Sequence, residues 1–305
     1  MLRYLHPIPA CATLVLALGS AAFATDLPAP VYKAPVYKAP AAASLYNWSG
    51  VYIGGNVGYG WGKANTDIAY AGGNAFDTLN PDPNNPPDLF PPFAHSDSLK
   101  LNGPNGGGQI GYNWQFAPTW VLGIEADLQT SRQKNSNRFV DSFSLSDHAD
   151  NQTILDGTTV TDHEGKISWF GTVRGRLGYA WNDALLYGTG GLAYGKVGLS
   201  GTSVSTLTST FLDGNNVPPF TTVAAKSFAT SAVNLGWTVG AGIEGALANN
   251  WTWKAEYLHM DLGSVSVTGI AATGATFTAS SKFTDDIVRL GLNYRFAPTP
   301  AVAPY

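Results

Sequence analysis

The chain of 305 residues is poor in cysteine, in charge and in long apolar runs. Its one cysteine is Cys11, close to the N-terminus, so the remainder can form neither a disulfide nor a thiolate site. Charged residues make up 12%, whereas soluble domains average about 25%. Beyond residue 24 no segment approaches about 18 consecutive apolar residues, so no transmembrane helix is expected. The formal net charge of −4 also argues against a nucleic-acid-binding protein, which would be basic.

The first 24 residues have the pattern of a secretory signal peptide. Arg3 supplies a positive start, an apolar core follows at 14–18, and Ala22, Phe23 and Ala24 form a small-x-small cleavage motif. The apolar run is short for a membrane-spanning anchor, which needs about 20 residues. We therefore predict export and cleavage after Ala24.

A proline-spaced segment follows the signal. Residues 31–35 read Val-Tyr-Lys-Ala-Pro and repeat at once at 36–40. Proline removes backbone donors and favours extended chain, so we predict a periplasmic linker at 25–47. The folded domain is predicted at 48–296 and a C-terminal tail at 297–305.

From residue 48 onward, apolar and small or polar residues alternate with period two, the pattern of strands with two different faces. In 234–244, Leu235, Trp237 and Val239 share one face, opposite glycine, asparagine and threonine. Each such segment is near the 9–11 residues that a tilted strand needs to cross a bilayer. Eight segments are strand-like: 51–61, 108–116, 120–129, 167–180, 184–195, 234–244, 251–258 and 286–296.

The connections between these segments alternate in length. Short turns are predicted at 117–119, 181–183 and 248–250, and long loops at about 63–106, 130–166, 196–232 and 263–284. This pattern predicts an all-β fold, an eight-stranded antiparallel up-and-down transmembrane β-barrel. A soluble β-sandwich would also alternate, but its polar face should be rich in lysine and glutamate. Aromatic residues near strand ends instead favour lipid-facing girdles: Tyr59, Trp61, Tyr112, Trp114, Trp169, Trp237, Trp253, Tyr294 and Phe296.

Three segments carry a resemblance to a known family. They are 48–62 (WSGVYIGGNVGYGWG), 169–179 (WFGTVRGRLGY) and 290–296 (LGLNYRF). They resemble the small porin-like, outer-membrane immunogenic proteins of alphaproteobacteria, within the OmpA-type barrel superfamily. The resemblance implies integral outer-membrane location, contact with outer-membrane lipid and insertion by the barrel assembly machinery, which reads a terminal aromatic such as Phe296. Here a tail ending in Tyr305 follows that aromatic, which departs from the family pattern.

The face opposite the apolar one carries charges that a small barrel would enclose: Glu125, Asp127, Arg174, Arg176, Glu244, Lys254, Glu256, Arg289 and Arg295. An eight-stranded barrel is just wide enough for side chains to fill it, and buried charges must pair. Glu125 and Asp127 can meet Arg174 and Arg176 on the neighbouring strand. Two interpretations follow: a plug of salt bridges, which we prefer, or a charged constriction for ions and small solutes.

Histidines are few, and His95, His148 and His163 fall in predicted loops. His148 and His163 share one loop and form a candidate ligand for haem, although no spacing supports a closed metal site. His259 with Asp261, or His148 with its neighbouring aspartates, could be offered as catalytic groups, but no nucleophile accompanies them.

The sequence therefore predicts a structural or surface protein of the outer membrane with a porin-like role. It is predicted to be no enzyme and to need no cofactor or metal. Two alternatives stay open: binding of haem or a host ligand by the surface loops, and passive diffusion of small solutes.

Overall fold

The computed structural model describes residues 46–71, 93–146, 153–212, 218–248, 250–270 and 276–296. The predicted signal peptide, most of the linker, the tail and His148 lie outside these residues. The strands are β1 (Gly50–Tyr70), β2 (Phe93–Gln115), β3 (Trp120–Ser146), β4 (Thr153–Trp181), β5 (Ala184–Phe211), β6 (Phe220–Ala246), β7 (Trp251–Ile270) and β8 (Thr276–Phe296). Within the described residues no helix is long and apolar enough to cross a membrane.

Every strand pairs antiparallel with the next, and β8 closes the ring against β1. The closing register pairs Val51 with Phe296, so β1 begins and β8 ends at the same rim. The predicted eight-stranded antiparallel barrel is confirmed.

The turns at this rim are short, as predicted. Asn182 and Asn250 adopt positive φ angles of 53° and 67°, a conformation that asparagine tolerates better than most residues. The turn between β2 and β3 is closed by a hydrogen bond from the Trp120 amide to the Ala117 carbonyl, at 3.2 Å. The rim with short turns is therefore the periplasmic end of a barrel of this type.

The long loops predicted on the opposite side are wrong in extent. The strands run from 20 residues in β7 to 29 in β4, far beyond the 9–11 residues needed to cross a bilayer. Strand therefore covers half of 63–106 and most of 130–166, 196–232 and 263–284. The physical reason is that the two faces exchange polarity along each strand, so that the apolar outer face on which the prediction relied stops partway.

Strand β1 illustrates this exchange. Its outward side chains are apolar from Val51 to Trp61 and polar at Lys63 and Asp67, with the alternation itself unbroken. Inward positions change the opposite way, from glycine and asparagine to buried side chains such as Ile68. At about 3.4 Å per residue and a tilt of about 40°, the stretch from Val51 to Trp61 spans about 25 Å, the height of a lipid-facing band. We call this part the band and the part beyond it the upper zone.

The upper zone is built like a soluble barrel, with a polar outer wall around an interior that is mostly apolar and also holds buried polar side chains such as Gln133, His163 and Asp285. We call this interior the upper core. It comprises the buried residues Ala64, Ile68, Tyr70, Leu99, Leu101, Phe139, Ile167, Phe170, Ala193, Val197, Leu199, Phe228, Leu258, Met260, Leu262, Val265, Phe277, Ala279, Phe283 and Ile287. Since this wall faces water, the hydrophobic effect acts across the lumen here and not toward lipid.

Two substitutions on the outer face of β1 test where the band ends. Val57→Lys should lower the free energy of unfolding by about 2–4 kcal/mol, because it places a charge in the lipid-facing band. Ala69→Lys, on the same face beyond Lys63, should change it by less than about 0.5 kcal/mol. Denaturant titration in lipid vesicles, followed by tryptophan fluorescence, measures both. Equal costs at the two positions would contradict the assignment of the upper zone to water.

Candidate functional site in the barrel interior

Eight of the nine predicted interior charges meet in the lumen of the band. We call them the charge network: Glu125, Asp127, Arg174, Arg176, Glu244, Lys254, Glu256 and Arg289. All eight are buried, and they come from β3, β4, β6, β7 and β8. Strand alternation turns each of them inward. Four carboxylates face four cations, so the formal charges cancel.

Glu125 lies at the centre of the charge network. The Lys254 ammonium donates to both of its carboxylate oxygens at 2.9 Å, and the Arg174 guanidinium donates to Oε1. Arg289 Nη2 lies 3.4 Å from the same oxygen. The Tyr52 hydroxyl donates to Oε2 at 2.7 Å. Glu125 therefore ties strands on opposite sides of the lumen together.

Asp127 and Glu256 share the arginines with Glu125. Arg289 donates to Glu256 Oε2 at 2.6 Å and to Asp127 Oδ2 at 2.9 Å. Arg174 lies 3.1 Å from each of these two carboxylates. Every guanidinium thus contacts more than one carboxylate, which rigid planar donors allow.

Arg176 forms the periplasmic side of the charge network. It donates to Glu244 Oε2 at 3.1 Å and to Asn113 Oδ1 at 2.8 Å. Its guanidinium carbon lies 4.9 Å from the ring centre of Tyr52 and 5.0 Å from that of Tyr187. These cation–π contacts hold the side chain across the lumen.

Arg295 was predicted to belong with these charges, and the structure places it elsewhere. It donates to the Ser49 carbonyl at 3.3 Å and lies over the Tyr46 ring, 4.4 Å from its centre. In the described part of the chain no carboxylate oxygen lies within 4 Å of it. The reason is distance, because Arg295 lies six residues from Arg289, about 20 Å along β8 in the direction of the periplasmic rim.

Apolar residues enclose the charge network at both ends. On the periplasmic side lie Trp48, Val121, Leu185 and Tyr187, with Tyr46 against them. On the other side the upper core begins. Neither layer is among the sequence predictions, although the apolar inward positions at the strand ends are a signal for both. The lumen is thus filled in layers, from an apolar base through paired charges to an apolar top.

The nine predicted lipid-facing aromatics all lie on the outer surface of the barrel. Trp169 and Tyr294 are half-buried against Tyr194 and Trp251, and the other seven are exposed. They form two rows. Tyr59, Trp61, Trp169 and Trp237 lie toward the upper edge of the band, and Tyr112, Trp114, Trp253, Tyr294 and Phe296 lie near the short turns.

The prediction that His95 and His163 lie in loops is wrong, because both lie in strands of the upper zone. His163 is buried on β4, with Nε2 3.4 Å from Asp97 Oδ2 and its ring 5.9 Å from that of Phe139. Burial lowers the pKa of His163 and so favours the neutral ring, and the nearby Asp97 carboxylate partly offsets this effect. His163 therefore does not lie in a loop with His148, as the sequence predicted.

His259 contacts Asp286 and not Asp261, the acid with which the sequence analysis paired it. His259 Nδ1 lies 2.8 Å from Asp286 Oδ1, while Asp261 pairs with the Lys282 ammonium at 3.0 Å. Both contacts are on the outer wall at the upper edge of the band. Among the described residues no group of three or more histidine, cysteine or acidic side chains could hold a metal ion.

Sequence comparisons with known proteins show which family the chain resembles. The family model for the outer membrane protein beta-barrel domain matches residues 34–296. The 31 kDa outer-membrane immunogenic protein of Brucella melitensis is 36% identical over 287 residues, which cover 93% of this chain and 99% of that protein. A 22 kDa outer membrane protein of Rhizobium leguminosarum bv. viciae is 31% identical over 192 residues, covering 62% and 66%. Ail of Yersinia pestis matches 81% of this chain and 99% of its own, with 14% identity and a TM-score of 0.28.

Proposed function

Since the chain belongs to the outer-membrane β-barrel domain family and is an integral protein of the cell outer membrane, we propose that it acts as a structural surface protein whose lumen is closed to solutes. Of the two interpretations of the interior charges, this proposal favours a plug of salt bridges over a charged constriction for ions and small solutes. It concerns the whole barrel and invokes no catalytic group.

The single observation that carries the proposal is that every member of the charge network has an oppositely charged partner within 4 Å. A conducting lumen keeps charged side chains in contact with water, so that ions can exchange with them. Here the four carboxylates and four cations are buried and contact one another. Leaving one of them unpaired would be costly, so the charge network favours a fixed arrangement over a gate.

The upper core supports the same proposal independently. Above the charge network the lumen is occupied mainly by buried aliphatic and aromatic side chains such as Leu101, Phe283 and Ile287. An apolar constriction of this kind excludes water and therefore ions. We infer that the outer wall of the upper zone forms part of the surface that the protein presents outside the cell.

Single-channel recording tests this proposal. The refolded protein, inserted into a planar bilayer, should give no steady conductance steps, while a general porin in the same bilayers should conduct. Heat-modifiable migration in gels must show that the silent preparation is folded. Regular steps on the nanosiemens scale from folded protein would overturn the proposal and make passive diffusion the main function.

A further inference from the structure

The outward-facing lysine and arginine side chains of the barrel all lie above the band. In the described residues, the outer face of the band carries no lysine or arginine, and the first cations appear directly above it. We call the following exposed residues the cationic belt: Lys63, Lys100, Arg132, Lys134, Lys166, Lys196 and Lys282. They lie on six neighbouring strands, from β8 through β1 to β5.

The belt places like charges against each other. Lys63 is the direct cross-strand partner of Lys100, and Lys134 is that of Lys166. Like charges at directly opposed positions destabilise a sheet. Within the described part of the chain, Lys282 alone of the seven has a carboxylate oxygen within 4 Å, that of Asp261. The other six are exposed and are therefore available to contact anions from outside the protein.

The height of the belt indicates where those anions lie. Lys63 is one outward position beyond Trp61, and Lys196 is one beyond Tyr194, a step of about 7 Å along the strand. Interfacial aromatic rings lie at the level of lipid headgroups, and lysine extends its ammonium toward the polar side. The ammonium groups thus reach the level of headgroup phosphates in the outer leaflet.

An apolar groove lies directly below one part of the belt. It has a volume of about 490 Å³, and its outward lining includes Gly106, Leu128, Thr130 and Trp169. Thr130 is paired with Trp169 in the register of β3 and β4, and Lys134 and Lys166 are paired further along the same two strands. A glycine at 106 leaves the wall without a side chain there, so the groove suits an acyl chain.

We propose that Arg132, Lys134 and Lys166, with this groove, bind a phosphorylated lipid of the outer leaflet. Its phosphate groups contact the cations and an acyl chain occupies the groove. Charge complementarity and the apolar floor within the band favour a membrane lipid over a soluble polyanion, which would use the cations and leave the groove empty. This inference is independent of whether the lumen conducts.

The test compares the double variant Lys134→Gln/Lys166→Gln with the wild type in nonionic detergent. The probe is bis-phosphorylated lipid A, with dephosphorylated lipid A beside it, and bound lipid is counted by native mass spectrometry. Each cation near an anionic lipid surface contributes about fivefold, so the double variant should bind bis-phosphorylated lipid A about 30-fold more weakly. The control Lys226→Gln, an exposed lysine on β6 outside the belt, should bind like the wild type.

Four outcomes would overturn the proposal. They are unchanged binding in the double variant, equal binding of dephosphorylated lipid A, competition by heparin, and release of the lipid by millimolar inorganic phosphate. The last would indicate a site for free phosphate. Heparin competing as well as lipid A competes with itself would indicate a site for soluble polyanions.

A second measurement separates lipid binding from a general effect on folding. In nonionic detergent alone the double variant should melt at the same temperature as the wild type or higher, because it loses a like-charge pair. With bis-phosphorylated lipid A added, it should melt lower than the wild type, which gains stability from bound ligand. A melting temperature of the double variant below that of the wild type both with and without lipid A would contradict the proposal.

Discussion

Replacing Glu125 by glutamine should lower the free energy of unfolding by about 3–5 kcal/mol, the cost of removing one partner from a buried ion pair. Glutamine keeps the shape of the side chain and loses its charge. Lys254, Arg174 and Arg289 would then share one carboxylate fewer, with no water at hand to solvate the excess positive charge. Denaturant titration in lipid vesicles, with tryptophan fluorescence and gel mobility as independent probes, measures the change.

The matched control is Glu164→Gln on β4, a glutamate on the outer wall of the upper zone that forms no ion pair within 4 Å among the described residues. It should change stability by less than about 0.5 kcal/mol. The double variant Glu125→Gln/Lys254→Met leaves three carboxylates and three cations, so it should recover part of the loss. A double variant whose cost equals the sum of the two single costs would show that the charge network is not coupled.

The inward position of these charges could be predicted from the sequence, because strand alternation fixes it. Glu125 and Asp127 have the same parity on β3, and Arg174 and Arg176 share theirs on β4, so each pair must face the same side. The partners across the lumen could not be predicted in this way. Lys254 on β7 reaches Glu125 on β3, a contact that depends on barrel diameter and strand tilt, which no local pattern encodes.

The upper zone was harder to predict from the sequence than the band. Residues 196–211 are rich in serine, threonine and glycine, and neither face has the run of large apolar residues that indicated the other strands. Their strand structure follows from pairing with both neighbours. For the same reason His163 was assigned to a loop, although alternation along β4 places it inside the barrel. Where a strand passes from lipid to water, its outer face becomes polar and its inner face apolar, while inward and outward residues still alternate with period two.

Phe283→Ala should lower the free energy of unfolding by about 3–5 kcal/mol, as expected for truncating a large side chain in a packed core. Phe283 is fully buried in the upper core and is paired with Ala64, a small residue on β1. A large side chain opposite a small one fills the lumen without overpacking, so its removal leaves a void that neighbours cannot close. The same titration that measures Glu125→Gln measures this change.

Val140→Ala is the matched control, because Val140 lies on the outer wall of the upper zone and is 58% exposed. It should change stability by less than about 0.5 kcal/mol. A cost below about 1 kcal/mol for Phe283→Ala would mean that water already occupies the lumen at this level, which would contradict an apolar top. Planar-bilayer recordings of Phe283→Ala should remain silent, since the charge network below still closes the lumen. Conductance in this variant alone would show instead that the upper core, and not the charge network, keeps solutes out.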